Sequence, residues 1–177
     1  MKKQILIPAL SLFLICAITS LLLAAANEAT CGPIAELQAQ TALEAQQTVL
    51  PTAASFEEKT AADGTAYAQG LDASGQTVGY VFTTSSSGYG GLIKVMTGVD
   101  NGGAITGVEL LEISETAGLG SRVNDAGYLA QYKGSAEAKN IGQIDVLTGA
   151  TVSSKAVMNG VNSAIEAYSV YGGEGNE

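Results

Sequence analysis

The residues best placed to do chemistry lie in the run Asp145-Val146-Leu147-Thr148-Gly149-Ala150-Thr151, where a short apolar stretch hands over to a helical pattern. Small side chains at Gly149 and Ala150 let another molecule approach the backbone, and Thr151, Ser153 and Ser154 line the first helical turn with hydroxyls. A helix start leaves N–H groups unpaired and carries a partial positive charge, so it is a natural seat for a phosphate. The same residues also read as an ordinary cap, because Ser and Thr are favoured where a helix begins. The local pattern leaves both readings open.

Composition narrows what such a turn can do. The 177-residue chain has no His, no Trp and only two Cys. Zinc, haem and iron–sulfur centres draw on those side chains, so the sequence argues against a self-contained metal redox centre. Without imidazole there is no Ser-His-Asp triad and no histidine base to activate a threonine hydroxyl. Electrons handled by this chain would be carried by an organic cofactor, and anything attached to Thr151 would be attached by another enzyme. The balance of 8 basic and 17 acidic residues, a net charge of −9, repels nucleic acid and anionic headgroups. It suits a soluble surface or one that docks a basic partner.

The elements that must position this turn follow a membrane-type segment. Residues 5–26 carry no charge and are long enough to cross a hydrocarbon core as a helix. Lys2 and Lys3 precede the run and Glu28 follows it, so residues 1–4 are expected in the cytoplasm and the rest outside. A retained anchor is favoured over a cleavable signal because the run exceeds the usual apolar core of a signal, although Ala24 and Ala26 offer a cleavage-like pattern. Neither Cys16 nor Cys31 follows the small residue that a lipid-attachment site wants, and neither is placed to staple the exported part.

Cys31, Gly32 and Pro33 are expected to break the helix, with a stalk over residues 27–51 resuming to Pro51. A single domain over 52–170 and a polar tail over 171–177 complete the chain. Within the domain, β-branched runs at 76–84, 90–100 and 103–114 predict consecutive antiparallel strands, with Asn101-Gly102-Gly103 as a hairpin turn. Residues 123–134 read as a short helix capped by Asn124 or Asp125, and 144–150 as a short strand entering the turn. Val157, Val161, Ala164, Ile165 and Tyr168 then repeat at helical spacing over residues 153–168. The expected class is α+β: one domain with a largely antiparallel sheet and flanking helices, preceded by one transmembrane helix.

The motif at 145–151 resembles the D-x-x-[ST]-G-A-T signature of the covalent FMN-binding domain. That domain occurs in the G subunit of Rnf-type electron-transport complexes and the C subunit of sodium-translocating NADH:quinone reductases. Three further matches occur in order: Val49-Leu50-Pro51 with Phe56 beyond, Gly88-Tyr89-Gly90-Gly91 before a strand, and Glu115-Thr116-Ala117-Gly118-Leu119-Gly120, where the family usually has Pro at the position of Ala117. The resemblance covers nearly the whole chain and implies FMN joined to Thr151 by a phosphoester. A separate magnesium-dependent flavin transferase would take that FMN from FAD. Ser153 and Ser154 are the neighbouring alternatives for the linkage.

The resemblance further implies that Thr148, Gly149, Ala150 and Ser153 accompany the linkage. Glu115, Thr116, Gly118, Leu119 and Gly120 would contact the cofactor, Thr116 as a hydrogen-bonding side chain and Leu119 as an apolar surface. Tyr89 would cover the flavin or merely close a hairpin. The expected function is that of a membrane-anchored electron carrier in an ion-translocating ferredoxin:NAD-type complex, partnered by other membrane subunits. The rivals are a quinone-reductase C subunit and a cofactor-free anchored scaffold in which the turn is only a helix cap.

Overall fold

A sheet whose central strands bury side chains on both faces accounts for most of the architecture. The computed structural model describes residues 2–60, 66–134 and 144–172. It contains α1 (Lys2–Val49), then β1 (Ser55–Thr60), β2 (Ala66–Leu71), β3 (Thr77–Ser87), β4 (Leu92–Asp100) and β5 (Ile105–Ile113). A 3-10 turn (Gly120–Asn124), the short α2 (Ala126–Leu129), a second 3-10 turn (Ala130–Tyr132) and α3 (Thr151–Tyr171) follow. The strands form one antiparallel meander in chain order.

The chain separates into two units, residues 1–41 and 42–177. The first holds the part of α1 up to Thr41, and the helix has an apolar stretch long enough to cross a membrane at a mean hydropathy of 2.5. The helix runs unbroken through Pro8 and Pro33, against the expected break at Cys31, Gly32 and Pro33. A proline removes one backbone donor and crowds the preceding turn, but helices can bend around it when the flanking turns hold.

The second unit begins inside α1 at Ala42, nine residues before Pro51. Ala45, Val49 and Leu50 are buried with Ala68, Val81 and Met96 on one face of the sheet. Gly98 and Gly107 make this possible, since a Cβ at either would run into the Val49 backbone. On the opposite face α3 packs across β3 and β4, burying Ala156, Val157 and Val161 with Ile93, Val95, Val108 and Leu110. Gly160 lets the helix come close: a Cβ there would sit 2.8 Å from Val95 Cγ2. Thr84 Oγ1 donates to the Gly160 carbonyl at 2.9 Å, and Ser86 Oγ donates to that of Ala156. Farther along α3, Tyr168 and Tyr171 meet Tyr67, Tyr80 and Phe82 in an aromatic cluster.

Three expected strands are present within a sheet of five, since β1 and β2 escape a reading based on β-branched runs. The turn at Asn101-Gly102-Gly103 closes the β4–β5 hairpin as expected, with Gly103 at φ 84° and Asp100 Oδ1 accepting from the N–H groups of Gly102 and Ala104. The helix expected over 123–134 is instead split into short pieces, with Asp125 as N-cap of α2 accepting from Gly127 N–H at 2.8 Å. The strand expected at 144–150 is not formed. Among the described residues no strand pairs with this segment, and Ile144 turns into the core while the following residues make a turn. Of the expected polar tail, Tyr171 ends α3 and residues 173–177 lie outside the described part.

Candidate functional site

The turn that delivers the chain into α3 is a tight one. Ala150 N–H donates to the Leu147 carbonyl at 2.9 Å, with Gly149 third of the four residues at φ 84°. A positive φ at that place is the mark of a type II turn and is the reason glycine stands there. The turn is buckled to the helix it feeds: Leu147 N–H donates to Ser154 Oγ at 3.2 Å, and Ser154 is fully buried.

Ala150, not a hydroxyl residue, occupies the N-cap of α3, and no side chain caps the helix. The first-turn N–H groups of a helix have no partners within it. Here that turn lines an open cleft of about 240 Å³. Its walls are Gly149, Ala150, Thr151, Val152 and Ser153 on one side, with Thr116, Leu119 and Gly120 from the segment after β5. Tyr89 and Glu115 complete it. Glu115 is the one charged residue among these, so the positive complement for an anion comes from the helix start and not from Lys or Arg.

The expected site residues divide accordingly. Gly149, Ala150, Thr151, Ser153, Glu115, Thr116, Leu119 and Gly120 are brought together around the cleft. Thr148 lies in the turn but does not line it, and Gly118, at φ 76°, shapes its loop by donating to Ser121 Oγ at 2.9 Å. Within the helix start the hydroxyls differ sharply. Thr151 is exposed, whereas Ser153 and Ser154 are buried. Val152, half exposed beside Thr151, is a wall residue that sequence reasoning passed over, because a Val before a helical apolar stripe carries no signal of its own. Tyr89, Leu119 and Val152 give the cleft an apolar, partly aromatic rim open to solvent.

A meander backed by one long helix, with a cleft at that helix's start, defines the class of this unit: residues 88–166 match the FMN-binding domain family. The fold is shared with NqrC from Shewanella oneidensis, at a TM-score of 0.54 and 19% identity over 66% of this chain and 68% of that one. Among curated proteins, the chain is 34% identical to the G subunit of the Na(+)-translocating ferredoxin:NAD(+) oxidoreductase complex of Acetobacterium woodii, across 90% of this chain and 89% of the relative. It is 33% identical to the G subunit of the ion-translocating oxidoreductase complex of Methanosarcina acetivorans, across 97% and 98% respectively. The chain belongs to this family, the G subunits of Rnf-type ion-translocating oxidoreductase complexes.

The residues present fit FMN. An exposed hydroxyl and unpaired N–H groups suit its phosphate, and an apolar rim with one tyrosine suits its ring system. Ligand pockets usually run from about 300 to 1,000 Å³, so a cleft of about 240 Å³ encloses only part of such a molecule.

Proposed function

We propose that this chain is a membrane-anchored electron carrier with FMN joined covalently to Thr151 through a phosphoester. The observation that carries this reading is the state of the Thr151 hydroxyl: exposed, at the uncapped start of α3, on the edge of the cleft. A cap-only role for the 148–151 motif is opposed by the same fact, since the N-cap is Ala150 and no hydroxyl bonds back to the helix start.

Attachment follows from what the chain lacks. No His is available to take the threonine proton, so a separate magnesium-dependent transferase supplies the base. Thr151 Oγ forms a new O–P bond with the FMN phosphorus of FAD as the pyrophosphate bond breaks. AMP leaves and the hydroxyl proton passes to the transferase. Gly149 and the exposed turn give that enzyme access, while burial withholds Ser153 and Ser154. Once made, the phosphodiester carries a negative charge that the N–H groups and dipole of α3 stabilise, by about 0.3–1 kcal/mol at such an exposed site.

FMN supplies one- and two-electron redox chemistry; the chain supplies position, a partly dry wall and a tether. Tyr89, Leu119 and Val152 shield one region while the shallow cleft leaves another open, as electron exchange with neighbouring subunits requires. The tether matters in this reading because a domain outside the cell would lose a dissociable cofactor. Lys2 and Lys3 ahead of the apolar stretch of α1 support that orientation. The partners are the other membrane subunits of an ion-translocating complex, consistent with its relatives.

Co-expression with a flavin transferase tests the linkage. Thr151→Val should lose the ultraviolet-excited band of the denatured protein in a gel, and Thr151→Ser should keep part of it. A band of undiminished strength in Thr151→Val would move the linkage elsewhere.

A further inference from the structure

We propose that Glu115 is a positioning residue whose carboxylate latches the turn at residues 88–91 onto the end of β5, and so holds Tyr89 at the mouth of the cleft. The family resemblance implies that Glu115 contacts the cofactor directly, yet both its oxygens are engaged by this chain's own backbone. Oε1 accepts from Tyr89 N–H at 2.7 Å and Oε2 from Gly90 N–H at 3.3 Å. The glycines around it make room for this contact. A Cβ at Gly88 would collide with Oε1, and one at Gly120 would sit 2.5 Å from Oε2. Side chains at Gly90 and Gly91 would strike Ser114.

The turn therefore rests its bare backbone on Ser114 and Glu115 and presents one side chain, Tyr89, which is 78% exposed. So open a side chain is placed by its backbone more than by packing around it. A glycine-rich turn has much conformational freedom to lose, and hydrogen bonds to an ionised acceptor are the stronger kind available to order it. The consequence for the cofactor rests on the reading that this cleft takes FMN; the latch itself does not.

Amide exchange in the full-length, flavin-free protein in detergent micelles tests the latch alone. Glu115→Ala should speed exchange at Tyr89 and Gly90 by about tenfold or more, with Leu147 N–H, held by Ser154, unchanged. Glu115→Gln fills the same gap and should give a smaller acceleration at the same two amides. In protein flavinylated at Thr151, Glu115→Ala and Tyr89→Ala should each change flavin fluorescence and midpoint potential. The double variant should then match Tyr89→Ala alone, as expected when one residue acts through the other. Unchanged exchange at both amides would overturn the latch. So would a flavin change from Glu115→Ala that persists in full in the Tyr89→Ala background, since Glu115 would then act on the flavin directly. Failure to find FMN on Thr151 would remove the functional reading and leave the exchange result to decide the latch.

Discussion

Gly149 and Ser154 decide whether Thr151 is presented at all. Gly149 sits at φ 84°, where a Cβ would also come within 3.2 Å of Leu119 Cδ1. Gly149→Ala should therefore cost about 1–2 kcal/mol and lower the yield of flavinylated protein, measured by denaturant unfolding and in-gel fluorescence. Ser154→Ala leaves Leu147 N–H without its acceptor and should cost about 1–3 kcal/mol. If its flavinylation fell while its stability stayed at the parent value, Ser154 would have a role in the transferase contact that buried geometry does not give it. At this scale the sequence was informative about composition and motif. It did not show that Ala150 would be the N-cap, that two of the three hydroxyls would be buried, or that Glu115 would be spent on the backbone of residues 89 and 90. Those are outcomes of tertiary approach, which residue type alone does not encode.

Among the elements, α3 is the one whose placement matters most, because its first turn is one wall of the cleft. Its seat on the sheet is set by Gly160, and Gly160→Val should overpack that contact against Val95 and cost about 1–3 kcal/mol. A circular-dichroism melt should show the loss. An unchanged melting temperature would mean that the helix slides without penalty, and the cleft geometry would then be less fixed than this contact implies. The helical spacing of Val157, Val161 and Ala164 made α3 legible, and β-branched runs with a Gly-rich turn made β3 to β5 legible. Strands β1 and β2 were not, because Ser-Phe-Glu-Glu-Lys-Thr is largely exposed at a sheet edge and Ala-Tyr-Ala-Gln-Gly-Leu has neither β-branching nor clean alternation. The break expected at Pro33 failed for a related reason: a single missing donor in a long helix competes with many intact turns on either side.

For the molecule as a whole, charge and burial set two expectations. Burial raises the phenol pKa of Tyr132, which is fully buried, and those of Tyr80 and Tyr168 above the ordinary value of 10.0. The unfolded chain releases these protons first, so stability is fully present below about pH 10 and falls as pH rises beyond it. Urea midpoints taken at rising pH should be level through the neutral range and then drop, and a Tyr132→Phe variant should drop less. The second expectation concerns the membrane. The full chain should stay in the membrane fraction after an alkaline wash, whereas a chain starting at Ala42, the boundary of the folded unit, should be soluble. Cys31, exposed just beyond the apolar run, should react with an impermeant maleimide added to intact cells. Protection of Cys31 until the cells are opened would reverse the assigned orientation.

The covalent bond proposed at Thr151 is tested by the mass of the tryptic peptide that ends at Lys155 and contains this residue, taken from protein matured in its native membrane. The expected peptide is heavier than its sequence by one FMN less one water, with fragmentation placing the added mass on Thr151. An unmodified peptide from folded, colourless protein, or the added mass on Ser153 or Ser154, would contradict it.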